Sequence, residues 1–233
     1  RATSNGCISL KFRSWSMSQI SDDYFPGILE ATDLLPKQQV IGMQKTVLNS
    51  EFPWNFVREI TAPYQSWRDN DLYKQPYVDS PFSVHGFVHE LWSQGKVVSK
   101  HYDQFLPVVY ALEDAADLEI EDLVEFRLNL FTKNVNNVPY HIPHIDISKP
   151  GKMYSAIFYI CESDGNTHFF EEFFDPDIKR FIDGYRPDLF NVVKTVPPEQ
   201  GKAILFDSRR YHASAYPERH PERVVLNMTF KVK

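Results

Sequence analysis

Residues 153–172 read "MYSAIFYICESDGNTHFFEE", and this stretch decides the fold class. A run rich in β-branched and aromatic residues (153–162) meets Asp164-Gly165-Asn166, a turn signal, and resumes as "THFFEE". The reading is strand, turn, strand. Working outward, "VEFRLNLFT" (124–132) alternates Phe126, Leu128 and Leu130 against Arg127, Asn129 and Phe131. Residues 192–196, "KAILFD" (202–207) and "RVVLNMTFKV" (223–232) are further strand candidates. Short strands separated by turns predict a sandwich or barrel.

The first half of the chain leans towards helix. Over 27–50, Leu29, Leu34, Leu35, Val40, Ile41, Met43 and Val47 keep roughly helical spacing, interrupted at Pro36. Residues 82–93, "FSVHGFVHELWS", read as a short helix. A better one is predicted over 102–117, where Phe105, Val108, Val109, Leu112 and Ala116 form one apolar stripe. The expected architecture is α+β, mainly β with helices. A single domain spans 1–233, its helix-rich 1–120 part packing on a jelly-roll catalytic core over 121–233. The irregular 174–191 stretch, with Pro176, Gly184 and Pro187, is long enough to be a lid.

The 233 residues are 42% hydrophobic and 15% aromatic, enough for a sizeable core. A net charge of -6 argues against a nucleic-acid partner, whose phosphates call for a basic excess. Cys7 and Cys161 make no disulfide framework, so a reducing, cytoplasmic setting is expected. No apolar run approaches the about 20 residues that span a bilayer, and no membrane partner is expected.

The chemistry is concentrated in "YHIPHID" (140–146). Taken as the entry to a strand, the segment points His144 and Asp146 to one face, while His141 has the opposite parity. Two ligands need a third, and the best-placed candidate is His212 in "DSRRYHASAYP", after the strand "GKAILFD". Two histidines and one carboxylate make the facial triad of non-haem iron oxygenases, which leaves positions open for a chelating cosubstrate and dioxygen. A structural zinc site would close its shell with four ligands, typically rich in cysteine. A cosubstrate with a distal carboxylate needs a cation nearby, and Arg223 opens the strand "RVVLNMTF". Along that strand Arg223, Val225, Asn227 and Thr229 share a face. His85 and His89 are four apart, but Gly86 stands where the zinc-protease pattern needs glutamate, so a structural role is expected.

This order of His-x-Asp, distant His and Arg resembles the iron(II)- and 2-oxoglutarate-dependent dioxygenases, in particular the prolyl-hydroxylase-like and phage or marine-bacterial branch. "YSAIFYICESDGNTHFFEE" and "GKAILFDSRRYHAS" extend the likeness over 124–232. The resemblance implies a double-stranded β-helix (cupin-like), with iron(II) held by His144, Asp146 and His212 and 2-oxoglutarate anchored by Arg223. It implies that 2-oxoglutarate and dioxygen give succinate and CO2 while a C–H bond of a small-molecule or peptide substrate is hydroxylated. By resemblance Tyr159 contacts the cosubstrate carboxylate. Asn129 and Asn227 are further pocket candidates. The alternative is a cupin-like module that binds a metal or small ligand without turnover, which has no need of Arg223. A third reading, nucleic-acid demethylation, would call for a basic groove around the site. Oligomeric state is not readable.

Overall fold

The structure, a computed structural model, describes residues 27–58, 60, 85–134, 139–147, 151–175 and 190–233. Two sheets face each other. The larger runs β1 (Ile28–Ala31), β9 (Ala203–Asp207), β6 (Met153–Tyr159), β11 (Glu222–Val232), β5 (Ile120–Thr132), β3 (Gly86–Ser93) and β2 (Asn55–Val57), with β4 (Lys96–Val97) beside β3. The smaller runs β10 (Arg210–Ser214), β7 (Thr167–Phe173) and β8 (Val192–Val196). All these pairings are antiparallel. The turn at 164–166 carries the chain from β6 in one sheet to β7 in the other, as a jelly roll requires.

Strand parity builds two layers of core. Tyr154, Ala156 and Phe158 of β6, Ala203 and Leu205 of β9, and Val224, Leu226, Met228 and Phe230 of β11 pack outward beneath α1 (Lys37–Val47) and α2 (Tyr102–Ala116). Ile157, Tyr159, Ile204, Phe206 and Val225 point the other way and meet Phe169 and Val196 of the smaller sheet. Both faces of β6 are therefore buried, which is why its sequence is apolar but for Ser155 rather than alternating. Phe158 lies at the centre of the helix-side layer with no exposed surface. Phe158→Ala is expected to cost about 3–5 kcal/mol, the range for truncating a buried phenylalanine, read as a lowered urea midpoint at unchanged slope.

α2 buries Phe105, Val108, Val109, Leu112 and Ala116, the stripe its sequence displays. α1 begins immediately after Pro36, whose fixed φ suits a helix start. Two expectations need correction. Before Pro36 the chain is not helical: Ile28–Ala31 pairs with β9 as an edge strand. Residues 86–93 form a strand, not a helix, because β3 is captured between β5 and β2. Gly86 makes that pairing possible, since a Cβ there would lie 2.9 Å from the Leu130 carbonyl oxygen. The helix-rich first half is thus, where described, two helices and four strands. Most of the 174–191 stretch read as a lid lies outside the described residues. No described helix is long and apolar enough to cross a membrane.

Candidate metal centre

Residues 141–146 do not form a strand. They make a loop fastened by an isolated bridge, in which His144 N–H donates to the His212 carbonyl and His212 N–H returns the bond, each at 2.9 Å. Asp146 N–H donates to the Ser208 carbonyl at 3.0 Å, which ties the next turn of the loop to the end of β9. This lacing brings His144 and Asp146 together with His212 of β10. Their ligand atoms all lie within 4.8 Å of one another. Both histidine Nε2 atoms face the same carboxylate oxygen, Asp146 Oδ1, at 3.9 Å from His144 and 3.7 Å from His212.

The surroundings select the ligand atoms. His144 Nδ1 lies 3.3 Å from the Ile142 carbonyl and His212 Nδ1 lies 3.2 Å from the Arg210 carbonyl. A carbonyl only accepts, so each Nδ1 carries the proton and each Nε2 keeps its lone pair for a cation. Phe206 packs on the His212 ring at 4.7 Å between centroids and leaves it no freedom to swing away. Burial pushes the His144 imidazole down to about 3, with the His212 ring adding to the effect. Burial alone would raise the Asp146 carboxyl. His212, His144 and the Ser155 hydroxyl outweigh it and hold the group below its usual range. At neutral pH the pair is a neutral imidazole and a carboxylate, the protonation state that divalent metals require. These donors fit iron(II) or another divalent ion with three protein ligands.

His141 also becomes buried, but its Nδ1 bonds Ser214 Oγ at 3.0 Å and its ring packs on Tyr216, away from the triad atoms. Burial lowers its pKa well below the ordinary value too. Both buried histidines must therefore charge when acid unfolds the metal-free protein. A depressed folded-state pKa stabilises above the unfolded value and loses that contribution as pH falls towards the folded one. The metal-free protein is expected to keep a constant urea midpoint above about pH 7 and to lose stability steadily below about pH 6.

Arg223 is buried on β11 with 1% of its surface exposed. Its Nε donates to the Gly165 carbonyl at 2.7 Å and its Nη2 to Thr167 Oγ1 at 2.9 Å. Tyr159 joins the same network through its hydroxyl, 2.7 Å from Thr167 Oγ1. One cavity between the sheets is lined by Arg223, Thr167, Asn129, Asn227, His144 and His212. The Oδ1 atoms of Asn129 and Asn227 are buried without a hydrogen-bond partner. An unsatisfied buried acceptor costs about 1–3 kcal/mol, and a polar ligand is one way to recover it. Thr229, on the same strand face, lies opposite Ser155 and does not line the cavity.

Several contributors are not apparent in the sequence. Thr167 looks like an ordinary strand threonine until its bonds to Arg223 and Tyr159 are seen. Ser155, in an otherwise apolar run, donates to Ser208 Oγ at 3.0 Å, and its hydroxyl helps to hold the Asp146 carboxyl below its usual range. Its hydroxyl was a readable signal, one polar group amid β6. Ser155→Ala is expected to weaken cobalt(II) binding by about tenfold, since partners of metal ligands typically contribute 10–100-fold; absorbance titration measures it. His89 places both ring nitrogens on the Pro53 carbonyl and Ser99 Oγ, the structural role expected for it. Arg209 pairs with Asp207 at 2.8 Å and Arg210 donates to the Phe170 carbonyl.

No family model matches the sequence, and no curated protein matches it. The fold does have solved relatives. The epimerase SnoN from nogalamycin biosynthesis, solved with Fe3+, alpha ketoglutarate and nogalamycin RO, superposes with a TM-score of 0.57 at 16% identity, covering 92% of this chain and 81% of SnoN. A 2OG-Fe(II) oxygenase family protein from Burkholderia pseudomallei gives 0.56 at 13% identity, covering 88% and 85%. A Trichoplax adhaerens prolyl hydroxylase, solved with a hypoxia inducible factor peptide, gives 0.50 at 12% identity, covering 88% and 84%. These neighbours include an epimerase as well as a hydroxylase, and they give no support to a phage or marine-bacterial branch.

Proposed function

We propose, from a chain that shares the fold of the 2-oxoglutarate- and iron(II)-dependent oxygenases, that it is an oxygenase of this kind. The reaction converts 2-oxoglutarate, dioxygen and a substrate C–H group into succinate, CO2 and the hydroxylated product. The observation that carries the reading is one cavity lined by two of the three clustered ligand residues, His144 and His212, and by a buried arginine at another part of its wall. A divalent-metal-binding module would need the first and not the second.

His144, Asp146 and His212 would hold the iron, and the Nδ1–carbonyl contacts fix both imidazoles in the ligating tautomer. Iron(II), when bound, supplies the redox chemistry and the open positions at which cosubstrate and dioxygen meet. Arg223 would pair with the distal carboxylate of 2-oxoglutarate. Its Nε and one Nη2 bond are already committed to the chain, so the guanidinium plane is fixed before the ligand arrives. Tyr159 and Thr167 hold that plane from behind, and Asn129 and Asn227 offer amide groups along the cavity wall. Phe206, Phe169 and Ile157 give the inner layer an apolar lining that keeps bulk water from the ligands.

The substrate class is a peptidyl proline, an amino acid or a small metabolite. The test is succinate release from 2-oxoglutarate in the presence of iron(II), measured with and without a chelator. Iron-dependent succinate is expected. Its absence across the candidate substrate classes, with metal bound, would leave only the binding-module reading.

A further inference from the structure

The cosubstrate anchor does not hold itself in place. Arg223 donates to two acceptors, the Gly165 carbonyl in the turn that links β6 to β7 and Thr167 Oγ1 at the first residue of β7. Thr167 is paired with Ser214 and Val196 in the smaller sheet, whereas Gly165 lies outside both ladders. Across the turn stands the 217–221 loop, which delivers the chain into β11 and hence into Arg223. Something must fix these two loops against each other, because the guanidinium can be no better placed than the acceptors it leans on.

Asp164 does this. Its Oδ1 accepts from the Glu218 and His220 backbone N–H groups, each at 3.2 Å, and lies 3.1 Å from His220 Nδ1. Its Oδ2 accepts from the Arg219 backbone N–H at 2.9 Å and from Arg219 Nε at 3.0 Å. Three successive backbone donors converge on one carboxylate, which defines the path of the loop residue by residue. Neighbouring contacts close the same joint. Ser163 Oγ donates to the Glu222 carbonyl at 3.0 Å, and Ala215 N–H donates to the Asn166 carbonyl at 2.8 Å. Gly165 sits so tightly in it that a Cβ would come 2.5 Å from the Ala215 carbonyl oxygen and 2.9 Å from Arg223 Cδ.

We propose that Asp164 is a positioning residue for the cosubstrate, stapling the 217–221 loop to the 163–166 turn so that Arg223 presents its remaining edge to the carboxylate of a 2-oxo acid. The inference rests on the proposed function for the identity of the ligand. The backbone donors, not the ion pair, carry the effect, because the Arg219 side chain is 84% exposed and such pairs contribute little.

The test compares Asp164→Ala, Asp164→Asn and Arg219→Ala in the full chain. Three quantities are read: the dissociation constant for cobalt(II), that for 2-oxoglutarate on the metal-loaded protein, and amide hydrogen exchange. Asp164→Ala is expected to weaken 2-oxoglutarate by on the order of tenfold or more, since small misplacements of an anchoring group carry large penalties. Cobalt(II) affinity is expected to stay within about twofold. Exchange should rise over 163–167 and 217–224 while β5 and β6 keep their protection. Asp164→Asn retains one acceptor oxygen and should fall between, which keeps the question answerable if the alanine variant folds poorly. Arg219→Ala should match the wild type.

Unchanged 2-oxoglutarate affinity in both Asp164 variants would overturn the proposal. So would an equal fold-loss of cobalt(II) and 2-oxoglutarate, the mark of a purely structural role. Failure of the wild-type protein to bind 2-oxoglutarate would overturn the proposed function and the ligand assigned here. Exchange would then still decide whether Asp164 joins the two loops, and unaltered exchange would overturn that as well.

Discussion

His212→Ala is expected to abolish iron-dependent succinate formation and to lower metal affinity by more than about 100-fold, the upper end of what loss of a mere ligand partner produces. The expectation follows from coordination count. Removing His212 leaves His144 and Asp146, two neighbours on one loop, with no ligand from β10 to close the site. The backbone bridge between residues 144 and 212 uses main-chain groups, so it survives the substitution and the fold should persist. Circular dichroism and a cobalt(II) titration separate the two effects. Full succinate formation in the variant would remove the triad from the account.

Replacing Arg223 acts at the other part of the cavity and should leave the metal in place. Arg223→Leu strips the cosubstrate of its charge partner and leaves the Gly165 carbonyl and Thr167 hydroxyl without their donor. Binding of 2-oxoglutarate should fall by at least about 100-fold, because a charge-assisted, two-pronged pair in a buried site is lost. Stability should fall by about 1–3 kcal/mol, the cost of buried groups left unsatisfied. Arg223→Lys should recover part of the stability but little of the binding, since an ammonium offers no planar fork. Calorimetric titration of the metal-loaded variants, set beside urea midpoints, gives both quantities. Loss of metal binding together with 2-oxoglutarate binding would instead mean that Arg223 supports the whole core.

The strands were readable where one rule dominates. In β5 and β11 polar residues alternate with apolar ones, so the faces bearing Asn129, Arg223 and Asn227 could be separated from those bearing Leu128 and Leu226. The stripe of α2 was equally plain. Local reading failed where long-range pairing decides. Residues 86–93 contain glutamate and leucine as a helix might, yet hydrogen bonds to β5 and β2 draw them into the sheet. At the site, parity chose His144 and Asp146 for a strand that does not form. The same two residues meet because an isolated bridge to His212 and a bond to Ser208 bend the loop. The supporting shell was the least legible part. Thr167 and Asp164 act through partners distant in sequence, and a strand threonine and a turn aspartate carry no local mark of that role, whereas Ser155 at least stands out as a polar group amid β6.

Metal and 2-oxoglutarate are expected to occupy one cavity together. Anaerobic titration of the iron(II)-loaded protein with 2-oxoglutarate, followed through the weak metal-to-ligand charge-transfer band in the visible, measures that. The band is expected to rise to saturation in the wild type and to be lost in Arg223→Leu. Iron binding with no band at any 2-oxoglutarate concentration would contradict the oxygenase reading and leave a metal-binding jelly roll.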